Sequence, residues 1–312
     1  MQAKNMLRRA VVGCDLGGTY IKMALVTEGR IVFGPFVHRL EQAEKLDPEV
    51  LVSRIQGMFH TCEDKSGSVT MTSFGVCCPG LVDNKRNTVV YSRNLNLKRF
   101  DIGAKIREFS NLDVVVENDS KAAALGELTY GSAKGAKDLI YLTLGTGLGG
   151  ALILDGKLHR GLNNAAGEFG HMSLDAFGDD DPNCNNVGCV HQYVSGKGVE
   201  QATGMSYEQI VAGARLGNWK RLDILAKSMN YLSIEITNLV NAFDPELVVI
   251  GGGNMGKAHD LLWPLLASAY KHRAPSYTPR RAKLAMAKLY DREGRDLSGI
   301  FGVALLASGR IS

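Results

Sequence analysis

Residues 11–31 read Val-Val-Gly-Cys-Asp-Leu-Gly-Gly-Thr-Tyr-Ile-Lys-Met-Ala-Leu-Val-Thr-Glu-Gly-Arg-Ile, and the fold turns on this stretch. Val11 to Leu16 is a short apolar run that stops at a Gly-Gly turn. Tyr20 to Val26 resumes it, and Glu28-Gly29 breaks the chain again before Ile31 to Phe33. Apolar runs of this length bounded by glycine turns predict a β-hairpin or meander. A shift of 127 positions repeats the pattern: Gly18-Thr19 falls on Gly145-Thr146, Ala24-Leu25 on Ala151-Leu152 and Gly29 on Gly156. Glu28, Arg30 and Ile31 meet the similar Asp155, Lys157 and Leu158. Both copies read strand, Gly-Thr turn, strand, acidic-Gly turn, strand, so the chain is expected to hold two related α/β domains.

The segments around the two copies fit that plan. Pro48 to Cys62 has helical spacing (Val50, Val52, Ile55, Met58), with Asp47 as N-cap and Pro48 in the first turn. Val69 to Val76 predicts a strand ending at Pro79-Gly80, Val114 to Val116 another, and the alanine-rich Ser120 to Leu128 a helix. Further on, Asp223 to Ala242 predicts a long helix and Leu247 to Ile250 a buried strand running into Gly251-Gly252-Gly253-Asn254. Leu261 to Tyr270 and Ile300 to Ala307 read as helices and Ala282 to Ala287 as a strand. No linker separates the halves, so a boundary near residue 118 is expected to act as a hinge.

Composition removes several classes. The 36 glycines in 312 residues, about 11.5% against a usual ~7%, follow no G-x-y period and form no Gly/Ser tract. The net charge is +4 with lysines and arginines scattered, which gives nucleic-acid binding no electrostatic support. Six cysteines, Cys77 and Cys78 adjacent, are too sparse for a disulfide scaffold and suit a reducing compartment. Met1 to Arg9 is polar and lacks a signal core. The longest uncharged stretches, Ser66 to Val82 and Leu139 to Leu154, are glycine-broken and shorter than the ~20 residues of a membrane helix. A cytoplasmic protein with no membrane partner is expected.

Three glycine turns sit at the ends of apolar strands: Asp15-Leu16-Gly17-Gly18-Thr19, Gly145-Thr146-Gly147-Leu148-Gly149-Gly150 and Gly251-Gly252-Gly253. Glycine lets the backbone approach a phosphate and turn its N–H groups towards it. A single Gly-Gly is usually just a tight turn, but three, two of them copies, point to phosphate binding. None carries the Gly-Lys-Ser/Thr of a P-loop, and the stretch after Gly150 continues as strand rather than as a dinucleotide-fold helix. Asp15, a charge at the end of a buried strand, needs a cation nearby; beside a phosphate loop that is Mg²⁺, or else the carboxylate merely caps the turn. Glu117-Asn118-Asp119 lies at a strand-to-helix junction, where α/β proteins place ligands. Asp119 is there either the helix N-cap or a carboxylate that takes a proton from a substrate hydroxyl, with Asn118 holding a neighbouring one. His171, Cys184 and Cys189 resemble a zinc knuckle; a tetrahedral site wants a fourth donor, for which Asp179, Asp180, Asp181 and His191 are near. The alternative is two free cysteines and an unrelated histidine.

In combination these motifs resemble the ROK family of sugar kinases in the actin-like ATPase superfamily. The resemblance runs from Asp15 to about Ala307: Asp-x-Gly-Gly-Thr at 15–19, Cys-Pro-Gly-Leu-Val-Asp at 78–83, Glu-Asn-Asp at 117–119, Gly-Thr-Gly-x-Gly-Gly at 145–150, Gly-Glu-x-Gly-His at 167–171 and the Gly-Gly-Gly strand end at 251–253. It implies an α/β fold of two related, ribonuclease H-like domains with an interdomain cleft. The smaller would span 1–118, joined by a C-terminal helix at about 298–312, and the larger 119–297. It further implies ATP-dependent phosphorylation of a hexose, glucokinase-like and at the 6-hydroxyl, with Asp119 as general base. Asn118, Glu168 and His171 would bind sugar hydroxyls, and Gly80 and Asn94 would line the sugar pocket. Gly17, Gly18, Thr19, Gly145, Thr146 and Gly147 would cradle the ATP phosphates, Asp15 would serve Mg²⁺, and Gly251, Gly252 and Asn254 would face the adenosine. The family also suggests a homodimer or larger assembly.

Two departures qualify the resemblance. The family's zinc segment reads Cys-x-Cys-Gly-x-x-Gly-Cys-x-Glu, whereas residues 182–191 read Pro-Asn-Cys-Asn-Asn-Val-Gly-Cys-Val-His. Pro182 replaces the first cysteine, so Zn²⁺ is left with His171, Cys184 and Cys189 or is lost. His191 replaces a glutamate that holds sugar hydroxyls in relatives, and an imidazole cannot make a carboxylate's two-oxygen contact. This opens N-acetylhexosamines, fructose or a related polyol as substrates, and a catalytically impaired sugar-binding protein as an alternative. A ROK-type transcriptional regulator carries a helix-turn-helix ahead of the first glycine motif; with fourteen residues before Asp15 that outcome is not expected.

Overall fold

The opening meander forms β1 (Arg9–Leu16), β2 (Tyr20–Thr27) and β3 (Arg30–Arg39), each antiparallel to the next. In the computed structural model, residues 9–67, 69–182, 184–273 and 282–310 are described. The polar N-terminal residues 1–8 and the last two residues of the expected C-terminal segment lie outside them. After β3 the chain forms α1 (Gln42–Leu46) and α2 (Pro48–Ser66), then crosses to β4 (Thr70–Cys78), parallel to β1. Asp47 caps α2, its carboxylate accepting from the Glu49 and Val50 N–H groups. A small antiparallel sheet follows, of β5 (Leu81–Asp83), β6 (Thr88–Ser92) and β7 (Leu97–Phe100), then α3 (Ile102–Ser110). β8 (Val114–Asn118) returns parallel to β4, and α4 (Asp119–Tyr130) follows it without a gap.

The second meander builds β9 (Leu139–Leu144), β10 (Leu148–Leu154) and β11 (Lys157–His159). A single 3₁₀ turn at Phe169–His171 precedes the helices α5 (Val190–Val194), α6 (Gly196–Thr203), α7 (Tyr207–Arg215) and α8 (Trp219–Phe243). β12 (Leu247–Gly251) pairs parallel with β9; α9 (Gly253–Lys271) leads to β13 (Lys283–Met286), and α10 (Ser298–Ala307) closes the described chain. The sheet orders are β3-β2-β1-β4-β8 and β11-β10-β9-β12-β13. Position for position these are one order, three antiparallel strands then two parallel ones, so the repeat read from fourteen residues extends over both sheets.

The chain divides into two compact units. The first runs to Tyr130 and includes Gly161–Asn164 and the chain from Leu297 onward; the second comprises Gly131–Arg160 and Ala165–Asp296. Helix α4 therefore belongs with the first unit, packed on α10, and the chain leaves that unit after residue 130 rather than at the junction near 118. Each unit has its own apolar core. Val12, Cys14 and Leu16 on one face of β1 pack with Leu51, Ile55 and Phe59 of α2, while Gly13, on the other face, meets Ile300 of α10. In the second unit Leu142, Ile140 and Val248 pack with Leu232, Ile236 and Leu239 of the long helix.

Buried Glu44 of α1 shows how a polar group is accommodated beside this core. Burial alone would raise its carboxyl, but the Glu41 N–H, His38 and Arg54 (2.8, 2.9 and 2.7 Å) outweigh it and hold the value at about 2. Glu44→Gln is expected to lose about 2 kcal/mol of stability near neutral pH, the scale of hydrogen bonds to a charged group. A depressed carboxyl stabilises above its unfolded value and stops doing so as pH falls through its folded one. The deficit should therefore be full above pH 4.5 and shrink towards pH 2. Urea titrations at pH 7 and pH 3 check this; equal deficits would remove the charge from the explanation.

Candidate active site

The register of the first sheet places the chemistry at the end of β1. Asp15 lies directly opposite Lys22 on β2 and beside Cys77 on β4. It is 8% exposed, ion-paired to Lys22, with the Cys77 thiol 3.7 Å from its Oδ1. Burial, then the Asp15 charge, raises that thiol well above the usual range, so it stays protonated. The cation that a buried carboxylate requires is thus present in the fold as Lys22, which the sequence reading did not single out. Its signal was the hairpin: once Gly17 N–H bonds the Tyr20 carbonyl (2.9 Å), Asp15 and Lys22 must face each other. Gly18 sits against the Asn94 side chain, and the Thr19 carbonyl accepts from Leu40 N–H (2.9 Å).

At the end of β8, helix α4 starts on Asp119 itself. Asn118 is the cap: its Oδ1 accepts from Lys121 N–H (3.1 Å), and its Nδ2 donates to the Gly80 carbonyl (3.0 Å). Asp119 Oδ1 accepts from the N–H and hydroxyl of Ser120 (2.7 and 3.3 Å). Of the two roles open to Asp119 in the sequence, capping is carried by its neighbour. Gly80, at φ 103°, turns the chain where any side chain would run into the Tyr91 carbonyl.

Behind this junction lies a buried polar network that sequence reasoning missed. Glu117 Oε1 accepts from Asn118 N–H and from Asn164 Nδ2 (2.9 Å each), Asn164 also donates to the Val82 carbonyl (3.0 Å), and Lys121 Nζ donates to the Asn164 carbonyl (2.9 Å). No spacing signals it, because Asn164 arrives from 43 residues beyond Lys121.

In the second unit, the Gly145 carbonyl accepts from Gly196 N–H (2.9 Å) and from Asn254 Nδ2 (3.0 Å), and Lys197 N–H bonds the Thr146 carbonyl (3.2 Å). Asn254 thereby ties the third glycine turn to the second. Space is open over the α-carbons of Gly145 and Gly147. Gly251 and Gly252 are glycines for an internal reason: a Cβ would strike the Tyr141 hydroxyl at one and the Leu144 backbone at the other. Asp296, also unsignalled, accepts from Gly252 N–H (2.7 Å) and Tyr141 hydroxyl (3.1 Å). Gly150, Gly167 and Gly170 let the 167–171 segment lie directly on β10, which fixes Glu168 and His171.

His171 Nδ1, Asp181 Oδ2, Cys184 Sγ and Cys189 Sγ all lie within 4.8 Å of one another. Asp181 is fully buried, and its Oδ2 stands 3.1 Å from His171 Nδ1, 3.0 Å from Cys184 Sγ and 2.7 Å from His191 Nε2. The structure thus brings the three expected donors together with one of the four candidates for the fourth. His191, expected at the sugar, has its Nε2 on Asp181. Two sulfurs, an imidazole and a carboxylate form a donor set that suits tetrahedral zinc. Among the described residues no helix is long and apolar enough to cross a membrane.

Two sheets of one strand order, each opening on a glycine-turned meander and followed by parallel strands, define an α/β protein of the actin-like ATPase fold. The chain belongs to the ROK family, which it matches over residues 11–310. It is 31% identical to a glucokinase of Halalkalibacterium halodurans over 287 residues, 82% of this chain and 84% of that protein. It is equally 31% identical to the xylose repressor of Bacillus subtilis over 245 residues, 77% of this chain, and spans 63% of the repressor's length. The crystal structure of a ROK family glucokinase from Streptomyces griseus, in complex with glucose and AMPPNP, is similar with a TM-score of 0.83. The two are 28% identical, with 96% of this chain and 99% of that one covered.

Proposed function

We propose that the chain is an ATP-dependent sugar kinase acting on a hexose hydroxyl, the 6-hydroxyl of a glucose-like sugar first among them. The observation that carries the reading is the β8–α4 junction. Asn118 takes the capping task and leaves Asp119, at the positive end of the helix, as a carboxylate positioned by Ser120. Asp119 takes the proton as the hydroxyl oxygen attacks the γ-phosphorus of ATP, and ADP leaves with the bond electrons. The open backbone at Gly145 and Gly147 suits phosphate oxygens, and the ammonium of Lys22 stands beside the first glycine turn. Asp15, a hard oxygen donor at that turn, would hold Mg²⁺, which supplies charge neutralisation on the phosphates. The same reading has Glu168 and His171 on sugar hydroxyls, in a cytoplasmic enzyme working as a homodimer or larger assembly.

A second reading, a sugar-binding regulator without turnover, is favoured by the likeness to the xylose repressor and by His191, whose Nε2 is engaged by Asp181. A panel of hexoses, amino sugars, fructose and polyols, each incubated with ATP and Mg²⁺ and also titrated by calorimetry, separates the two. ADP release with at least one sugar is the expected result. Sugar binding with no turnover across the panel would favour the regulator.

A further inference from the structure

The family's zinc knuckle supplies three cysteines, and this chain has Pro182 where the first belongs. We infer that the chain retains a zinc site by a changed donor set, in which Asp181 replaces the missing thiolate and His191 holds Asp181 in place from outside. This goes beyond the kinase reading and stands independently of it. An aspartate carries its donor atom one bond further from the backbone than cysteine does, so the residue before Pro182 reaches the centre that the proline cannot.

Charge supports the exchange. Zn²⁺ with two thiolates and one carboxylate has the same net charge as Zn²⁺ with three thiolates, whereas a neutral imidazole as the fourth donor would leave the site one unit more positive. Asp179 and Asp180 carry the same charge, but among the described residues their carboxylates do not join the cluster.

The distances fit. A tetrahedral ion with Zn–S of ~2.3 Å and Zn–N and Zn–O of ~2.0–2.2 Å sets S···S at ~3.8 Å and N···O at ~3.4 Å. Cys184 and Cys189 sulfurs are 3.6 Å apart, and His171 Nδ1 and Asp181 Oδ2 are 3.1 Å apart. Cys184 stands 3.0 and 3.1 Å from the oxygen and nitrogen and would move outward by about half an ångström. It is the exposed cysteine of the pair. The loop is pre-shaped by its own backbone, with Asp181 N–H on the Asn186 carbonyl (2.6 Å) and Asn185 N–H on the Asp181 carbonyl (2.9 Å). His191 Nε2, 2.7 Å from the ligating oxygen, acts as the outer partner that orients a metal-binding carboxylate.

The full chain, stripped with a chelator and reloaded with Zn²⁺ or Co²⁺, tests this by metal content and by the Co²⁺ absorption spectrum. The expected result is one zinc per chain and a tetrahedral cobalt spectrum with thiolate charge transfer from two sulfurs. Asp181→Ala should weaken zinc by more than tenfold, and His191→Ala by roughly tenfold with the stoichiometry kept. A wild-type chain that takes up no zinc, or an Asp181→Ala chain that binds it as wild type does, would overturn the inference. Unchanged zinc affinity in His191→Ala would remove the role of that residue.

Discussion

Asp119→Asn is expected to lower kcat for sugar phosphorylation by about 10²–10⁴-fold, the usual contribution of a positioned general base. ATP affinity should remain as in the wild type. The substitution isolates proton transfer because it leaves the local fold in place. Asparagine has the same size, its oxygen can still accept from the Ser120 N–H that bonds Asp119 Oδ1, and the helix cap belongs to Asn118. Thermal unfolding of the variant should therefore match the wild type closely. Steady-state turnover with the best sugar of the panel, together with ATP binding by calorimetry, checks the prediction. Turnover within a factor of a few of wild type would take the proton-transfer role away from Asp119. A lost cooperative unfolding transition would place the residue in the fold instead.

What the sequence showed and what it hid follow from the range of the interactions. The meander was legible because glycine turns and the short apolar runs between them act within about ten positions, and the repeat at 127 doubled that local signal. The strands and long helices were legible for the same reason, although glycine-rich Gly253-Asn254 concealed the first turns of α9. Strands β5 to β7 passed unread because they are three to five residues long and interrupted by polar turns. At the site, the motifs named Asp15, Asn118, Asp119 and His171, but not what surrounds them. Lys22 required the hairpin register, Asn164 and Asp296 arrive from distant segments, and the choice of Asp181 among four nearby donors required the loop conformation. The glycine excess has two causes rather than one. Some glycines form the strand-end turns, while Gly13, Gly75, Gly126 and Gly302 lie where α10 meets its neighbours at backbone distance. Close approach between elements leaves no periodicity to read.

That second use of glycine gives the largest expected effect on stability, at Gly302. Helix α10 crosses α4 so closely that a Cβ on Gly302 would overlap the Ala122 carbonyl and come within 3.0 Å of the Gly126 nitrogen. Both obstacles are backbone within a helix, so no rotamer change relieves them. Gly126 meets the Ser298 carbonyl in the same way from the opposite side. In an unobstructed helix, Gly→Ala stabilises by up to about 1 kcal/mol through the unfolded chain. At residue 302 the steric term opposes and exceeds it: overpacking costs about 1–3 kcal/mol where side chains can yield, and more where they cannot. Gly302→Ala is therefore expected to destabilise the first unit by more than 3 kcal/mol. Gly57→Ala, in α2 where nothing lies within 4 Å of the new methyl, should stabilise it by about 0.5 kcal/mol. Urea unfolding of the two variants beside wild type reads both signs. The displacement also reaches the site, because Gly299 on the same helix lies against the Asp15 carboxylate, 3.2 Å from the position of a Cβ. A helix pushed off α4 moves the wall behind Asp15 and Lys22, so Gly302→Ala should lose ATP affinity even under conditions where the chain remains folded. Equal stabilities for Gly302→Ala and wild type would mean that the two helices separate at little cost, and that the glycines at this crossing have another purpose.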